Sequence, residues 1–82
     1  MLISKQGSII EVDIHGMRTD EAMRQLEFVI SRAGTQVREI VVIHGYSHGH
    51  ALMDMVRTSL HHPRISCKLP SLNAGKTRIL LK

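Results

Sequence analysis

The chain has 82 residues, of which 43% are hydrophobic, and it carries 11 Lys and Arg against 7 Asp and Glu, for a net charge of +4. This length predicts one domain with a small aliphatic core, because the chain has one Phe, one Tyr and no Trp. The single cysteine excludes an internal disulfide, and the lack of a secretory signal or a long apolar run predicts a cytoplasmic protein with no membrane contact. The positive charge favours a polyanionic partner.

The first strand is predicted by an alternation of apolar and polar residues over 9–14, after a lead-in or edge segment at residues 1–8. A strand places alternate side chains on opposite faces, so one face is apolar and the other is open to solvent or to a ligand. The apolar face comprises Ile10, Val12 and Ile14, and the polar face comprises Glu11, Asp13 and His15.

A helix is predicted to begin at Thr19, which can cap it, and to end at Gly34. Apolar residues recur within it at spacings of three and four, which indicates one core-facing side. These residues are Ala22, Leu26, Val29, Ile30 and Ala33. A second strand follows over 38–43, and its run of β-branched residues predicts a strand covered on both faces.

The second half of the chain predicts one more helix and a strand hairpin. A loop rich in Gly, Ser and His over 44–50 precedes the helix, which ends before Pro63. The strands span 65–69 and 77–81 and are joined by a turn. The predicted core face of this helix comprises Leu52, Met53, Val56, Ser59 and Leu60.

The predicted order is βαβαββ, an α/β fold of the α+β two-layer sandwich type. Its four-stranded mixed sheet carries both helices on one face. Residues 9–82 form this single domain. His15-Gly16 and His44-Gly45 follow its first two strands. If those strands are parallel neighbours, both His-Gly pairs lie at the carboxyl edge of the sheet, where open α/β sheets bind ligands.

Asp13 and His15 are the candidate catalytic pair. Residues two apart on a strand project to the same side, so the carboxylate and the imidazole can touch. Such a pair can act as general acid and base, with the carboxylate fixing the histidine tautomer. The alternative is a solvated polar face of the sheet.

The loop after the second strand is the candidate phosphate-binding segment. Gly45 and Gly49 can expose backbone N–H groups before a helix, Ser47 can cap that helix or bind a phosphate oxygen, and Tyr46 can stack on a base. The alternative is an ordinary strand-to-helix connection. Further candidates for phosphate contacts are Arg18 and Lys76.

Histidines are frequent enough to raise a metal-binding alternative. His44, His48 and His50 lie close in sequence, and His15 is expected near them in space. Their spacing matches no known zinc pattern, so no dedicated metal site is predicted.

Taken together, these segments resemble the Smr (small MutS-related) domain family. Residues 12–16 are similar to its L-D-L-H-G motif, and residues 43–49 are similar to its second motif, of the form H/T-G-x-G. The Gly-Lys-Thr turn at 75–77, before a final apolar strand, also fits the family. The resemblance extends from about Ile9 to Lys82.

The resemblance implies a fold similar to the C-terminal domain of a translation initiation factor. It also implies nucleic-acid binding, with endonuclease activity on DNA or RNA. Asp13 and His15 match the residues tied to cleavage, and His44, Gly45 and Gly49 match the neighbouring loop.

One difference concerns the second motif, where members often carry Lys or Arg and then Gly after the His-Gly. This chain has Tyr46-Ser47 instead, which removes a candidate cation for phosphoryl charge. The leading hypothesis is an endonuclease domain in which His15 acts as general base or acid, positioned by Asp13, while His44 and the backbone of residues 45–49 hold the phosphate. Mg²⁺ or Mn²⁺, if one is needed, is held partly by substrate. The oligomeric state is left open, with a monomer favoured. The rival is a non-catalytic module that binds nucleic acid, ribosomes or a protein.

Overall fold

The computed structural model describes residues 1–47 and 49–82. The strands are β1 (Leu2–Gln6), β2 (Ile9–Asp13), β3 (Glu39–Ile43), β4 (Ile65–Pro70) and β5 (Lys76–Leu81). The helices are α1 (Thr19–Arg32) and α2 (Ala51–Asp54), and a π-helical segment (Met55–Ser59) continues α2.

The five strands form one mixed sheet in the order β1-β2-β3-β5-β4. β2 and β3 are parallel, and all other neighbours are antiparallel. The predicted α/β class is confirmed, but the predicted strand count of four is wrong, because the lead-in segment forms a fifth strand. β1 pairs with β2 along its full length, from Leu2 opposite Asp13 to Gln6 opposite Ile9. Gly7, with φ of 60°, makes the turn between them.

The hydrophobic core lies between one face of the sheet and the helices. Leu26 and Ile30 of α1 and Ile40 of β3 are fully buried in it. Arg64, just before β4, holds the segment that follows α1, because its guanidinium donates hydrogen bonds to the carbonyls of Ala33, Gly34 and Val37. These carbonyls lie at and beyond the helix C-terminus, where backbone acceptors have no partner within the helix.

The prediction that β3 is covered on both faces is wrong. Ile40 and Val42 are buried, whereas Glu39, Val41 and Ile43 are half-buried on the face that carries no helix. Val41 lies there between Glu11 of β2 and Arg78 of β5. A continuous apolar run predicts two covered faces only when helices lie on both sides, and here both lie on one side.

The core face of the second helix also differs from the prediction. Ser59 is exposed, and Met55 is buried together with Val56 and Leu60. The burial of Met55 follows ordinary α-helical spacing, three residues after Leu52. The exposure of Ser59 comes from the π-helical segment, in which the Leu60 amide donates to the Met55 carbonyl, five residues earlier. The wider turn rotates the following residues relative to the α-helical spacing from which the face was predicted.

An ion pair on the open face of the sheet makes folding stability depend on pH. Arg78 donates two hydrogen bonds to the Glu39 carboxylate, at 2.8 and 3.0 Å. These bonds hold the pKa of Glu39 below its ordinary value of 4.5. The unfolded chain therefore binds the proton more readily. The stabilisation is fully present above pH 4.5 and is lost as the pH falls through the lower pKa of the folded state.

We therefore expect Glu39→Gln to lower the Tm at pH 7 by roughly 4 °C. The difference from wild type should shrink as the pH is lowered below 4.5. Thermal unfolding followed by circular dichroism at pH 7 and pH 3 measures both quantities. Glu27→Gln, which removes a carboxylate outside this pair, is the control. An unchanged difference at the two pH values would contradict the prediction.

Candidate functional site

Asp13 and His15 touch at the carboxyl end of β2. Oδ1 of Asp13 lies 2.5 Å from Nδ1 of His15, and it also accepts a hydrogen bond from the His15 backbone N–H at 3.1 Å. Partial burial raises the pKa of Asp13, but the hydrogen bonds from the side chain and backbone of His15 outweigh it and leave the pKa below its ordinary value. The carboxylate is thus ionised at neutral pH.

This contact assigns the proton on the imidazole. An ionised carboxylate can only accept hydrogen bonds, so Nδ1 of His15 carries the hydrogen. In the neutral imidazole, Nε2 then carries the lone pair, on a side chain that is 70% exposed. The Asp13 side chain is 22% exposed, so the carboxylate is held in the protein while the imidazole projects outward. A neutral imidazole held in this way can accept a proton through Nε2 and later return it.

The second His-Gly segment lies directly beside the first. The Ile14 amide donates to the Ile43 carbonyl at 2.9 Å, which extends the pairing with β3 one residue past the end of β2. Gly45 has φ of 75°, and a Cβ added to it would lie 3.7 Å from the Cβ of His15. A glycine therefore allows the backbone to turn sharply at this point.

His44 is built into the protein rather than offered to a ligand. It is 5% exposed, with Nδ1 2.7 Å from the Gly45 carbonyl and Nε2 2.8 Å from Oγ1 of Thr77. The carbonyl can only accept, so Nδ1 carries the hydrogen. Arg57 donates to the same Thr77 hydroxyl through Nε, at 3.1 Å. The hydroxyl can then donate to Nε2 of a neutral His44, which satisfies every group in the network.

The turn before β5 supports the loop from the other side. The backbone N–H groups of His44 and Gly45 both donate to the Gly75 carbonyl, at 2.9 and 3.0 Å. A Cβ on Gly75 would come within 3.3 Å of the Gly45 Cα and 3.5 Å of the Tyr46 ring. The Gly45 N–H is therefore occupied within the protein, and the expected phosphate contact through it would require this bond to break.

The remaining predicted residues are divided between two regions. Tyr46, Ser47 and Gly49 line an open cleft together with His15. Arg18 is exposed, with Nε 3.5 Å from Asp20 Oδ1. Lys76 does not line the cleft, and its Nζ is 3.6 Å from the Glu11 carboxylate on the open face of the sheet.

The cleft has a volume of about 470 Å³ and opens at the carboxyl edge of β2 and β3. Between the two motifs its lining is mainly apolar, with Met17, Ile43, Ala51 and Leu52 contributing. It lies at the position that open α/β sheets use for ligands.

Three residues of the site were not predicted from the sequence: Arg57, Thr77 and Gly75. No local sequence pattern signals the contact of Arg57 with Thr77. The Gly-Lys-Thr turn at 75–77 is a partial signal for Gly75 and Thr77, because it resembles the C-terminal part of the family pattern. The contact of Thr77 with His44 depends on the pairing of β3 with β5, which the sequence does not show.

No three His, Cys, Asp or Glu side chains are grouped as a metal centre among residues 1–47 and 49–82. The predicted alternative involved His48, which lies outside the described residues. No described helix is long and apolar enough to cross a bilayer.

The fold and the two adjacent His-Gly segments define a two-layer α/β domain with a site at its carboxyl edge. A family model of the Smr domain matches residues 12–81, so the chain belongs to the Smr domain family. The chain is similar to the crystal structure of the Smr domain of Thermus thermophilus MutS2, with a TM-score of 0.78 and 22% identity. That similarity covers 88% of this chain and 96% of the other, and at this identity it shows the fold alone. No curated protein matches the chain.

Proposed function

We propose that this domain binds nucleic acid and cleaves its phosphodiester bonds, with His15 as the general base and Asp13 as the residue that positions it. The observation that carries the proposal is the 2.5 Å contact between Asp13 Oδ1 and His15 Nδ1, which leaves Nε2 on the exposed side of the ring. Membership of the Smr family and the net charge of +4 support nucleic acid as the substrate.

In the cleavage step, Nε2 of His15 takes the proton of the attacking hydroxyl as its oxygen bonds to phosphorus. The bond from phosphorus to the leaving oxygen breaks, and the leaving oxygen keeps the electron pair of that bond. The same oxygen then takes a proton from water. Asp13 stabilises the imidazolium that forms, since the carboxylate is ionised and accepts the Nδ1 hydrogen. The attacking group is water, or the 2′-hydroxyl where the substrate is RNA.

Phosphate binding falls to groups at the rim of this site. The Ser47 hydroxyl and the Gly49 backbone line the cleft, and the exposed Arg18 guanidinium follows the first motif. His44 acts through position, because its bonds to Gly45 and Thr77 hold the loop against β5. A divalent ion would be held mainly by substrate oxygens, since Asp13 is engaged with His15.

A second candidate function is binding without cleavage. Two observations favour it. Tyr46-Ser47 departs from the family motif, and Lys76 is paired with Glu11. Arg18 is then the cation that follows the first motif. Under this alternative, the domain docks on nucleic acid and the Asp13–His15 contact is structural.

The test is an incubation of labelled single-stranded RNA, hairpin RNA and supercoiled plasmid with the wild-type protein or His15→Ala. Each substrate is treated in magnesium, manganese and EDTA. We expect wild type to cleave at least one substrate, and His15→Ala to bind that substrate without cleaving it. Binding by wild type with no cleavage in any lane would replace the enzyme proposal by the binding module. Equal cleavage by both proteins would contradict the role of His15.

A further inference from the structure

The cleft beside His15 contains more apolar surface than phosphate binding requires. Its lining includes Met17 after the first motif, Ile43 at the end of β3, and Leu52 of α2. Its volume of about 470 Å³ lies within the range of ~300–1,000 Å³ usual for sites that enclose a small organic group. A phosphate is bound by hydrogen-bond donors and cations, so these apolar walls suit a different part of the substrate.

Tyr46 stands at the edge of this cleft as an exposed aromatic ring. The side chain is 61% exposed. One edge of the ring lies close to the Gly75 backbone, because a Cβ added to Gly75 would lie 3.5 Å from its Cδ1 atom. An exposed tyrosine ring can stack on a planar group at a low cost in side-chain entropy, because it has only two rotatable side-chain bonds.

We infer that this cleft is a nucleobase subsite, in which an unpaired base stacks on Tyr46 next to the phosphate that faces His15. The inference rests on the proposed function and specifies its substrate as single-stranded or locally unpaired nucleic acid. Arg18 stands in sequence between Met17 and Thr19, which both line the cleft, and its exposed guanidinium complements the charge of the phosphates that flank the bound base.

An unpaired base is required by the location of the cleft. The apolar walls lie between the two His-Gly segments, and a base can reach them only when it has left its own stack. In a duplex this step costs unpairing and unstacking, whereas a single strand has no pairing to break.

The experiment measures binding by fluorescence anisotropy in EDTA at fixed ionic strength, so that cleavage does not interfere. The three labelled probes are a short oligothymidine, a duplex of the same length, and an abasic phosphodiester chain with the same number of phosphates. The variants are Tyr46→Ala, Tyr46→Phe and Phe28→Ala. Phe28 is the matched control, an aromatic side chain of similar exposure, 56%, on α1.

We expect wild type to bind oligothymidine at least ~10-fold more tightly than either other probe. Tyr46→Ala should weaken oligothymidine binding by ~5- to 100-fold and leave abasic binding unchanged. Tyr46→Phe and Phe28→Ala should bind like wild type, because the first keeps the stacking ring and the second lies away from the cleft.

Equal binding of oligothymidine by wild type and Tyr46→Ala would overturn the nucleobase subsite, as would equal affinity of wild type for the oligothymidine and abasic chains. Either result leaves the proposed function standing if wild type still binds nucleic acid. Absence of wild-type binding to every probe would overturn both. Since Tyr46→Ala removes packing against Gly75, its Tm is measured alongside. A variant that melts below the assay temperature is replaced by Tyr46→Leu, for which the same weakening is expected.

Discussion

Replacing His15 with Ala should lower the rate of phosphodiester cleavage by ~10²–10⁴-fold, the usual contribution of a positioned acid–base residue. The affinity for uncleaved substrate should change by less than about threefold, because the imidazole is 70% exposed and supports no buried group. Single-turnover rates and anisotropy measured on the same protein separate the two quantities. His61→Ala, which removes an exposed imidazole from another part of the surface, is the matched control.

The Asp13 carboxylate should matter to the rate almost as much. In Asp13→Asn the side-chain amide can donate to Nδ1, which moves the imidazole hydrogen to Nε2 and blocks proton acceptance there. We expect a loss of about 10²-fold or more in the rate. Glu11→Gln makes the same change of charge on the same strand and face, and should retain activity. Similar losses in both variants would indicate a general charge effect rather than control of the tautomer.

A further large effect concerns the core. Leu26→Ala should destabilise the fold by ~3–5 kcal/mol, because Leu26 is fully buried in α1 and its truncation leaves a cavity. A domain of this length has a total stability of about 4–12 kcal/mol, so the variant approaches the unfolding threshold. Urea denaturation followed by circular dichroism gives the free energy of unfolding.

Leu72→Ala is the matched control for this measurement. Leu72 is fully exposed in the turn before β5, so the same change of side chain should alter stability by less than about 0.5 kcal/mol. Equal effects at the two positions would contradict the assignment of Leu26 to the core. Comparison of the two variants also removes the contribution common to any Leu-to-Ala change in the unfolded chain.

Features with a clear local period were predictable from the sequence. The alternation in β2 and the spacing of apolar residues in α1 gave both elements and their buried faces. The two His-Gly segments could be placed at one edge because the strands before them are parallel neighbours, as the structure confirms. The contact of Asp13 with His15 also follows from short sequence separation.

Features that depend on distant partners were not predictable. The burial of His44 follows from its contact with Thr77, and the sequence alone favoured a phosphate ligand. The π-helical segment changed the face of the second helix, since one widened turn has no clear sequence signature. The sequence left residues 1–8 as either a lead-in or an edge segment. Only the pairing of β1 with β2 shows that they contain an edge strand.

The position of β5 also bears on how a nascent chain becomes active. β5 follows all other strands in sequence, yet it lies inside the sheet between β3 and β4. The second His-Gly segment is held by Gly75 and Thr77, which reach it only when β5 pairs with β3. Such long-range pairing is a slow part of folding. On the ribosome, the domain would therefore complete its site only after residues 76–81 have left the exit tunnel, so shorter nascent chains would be inert toward nucleic acid around them.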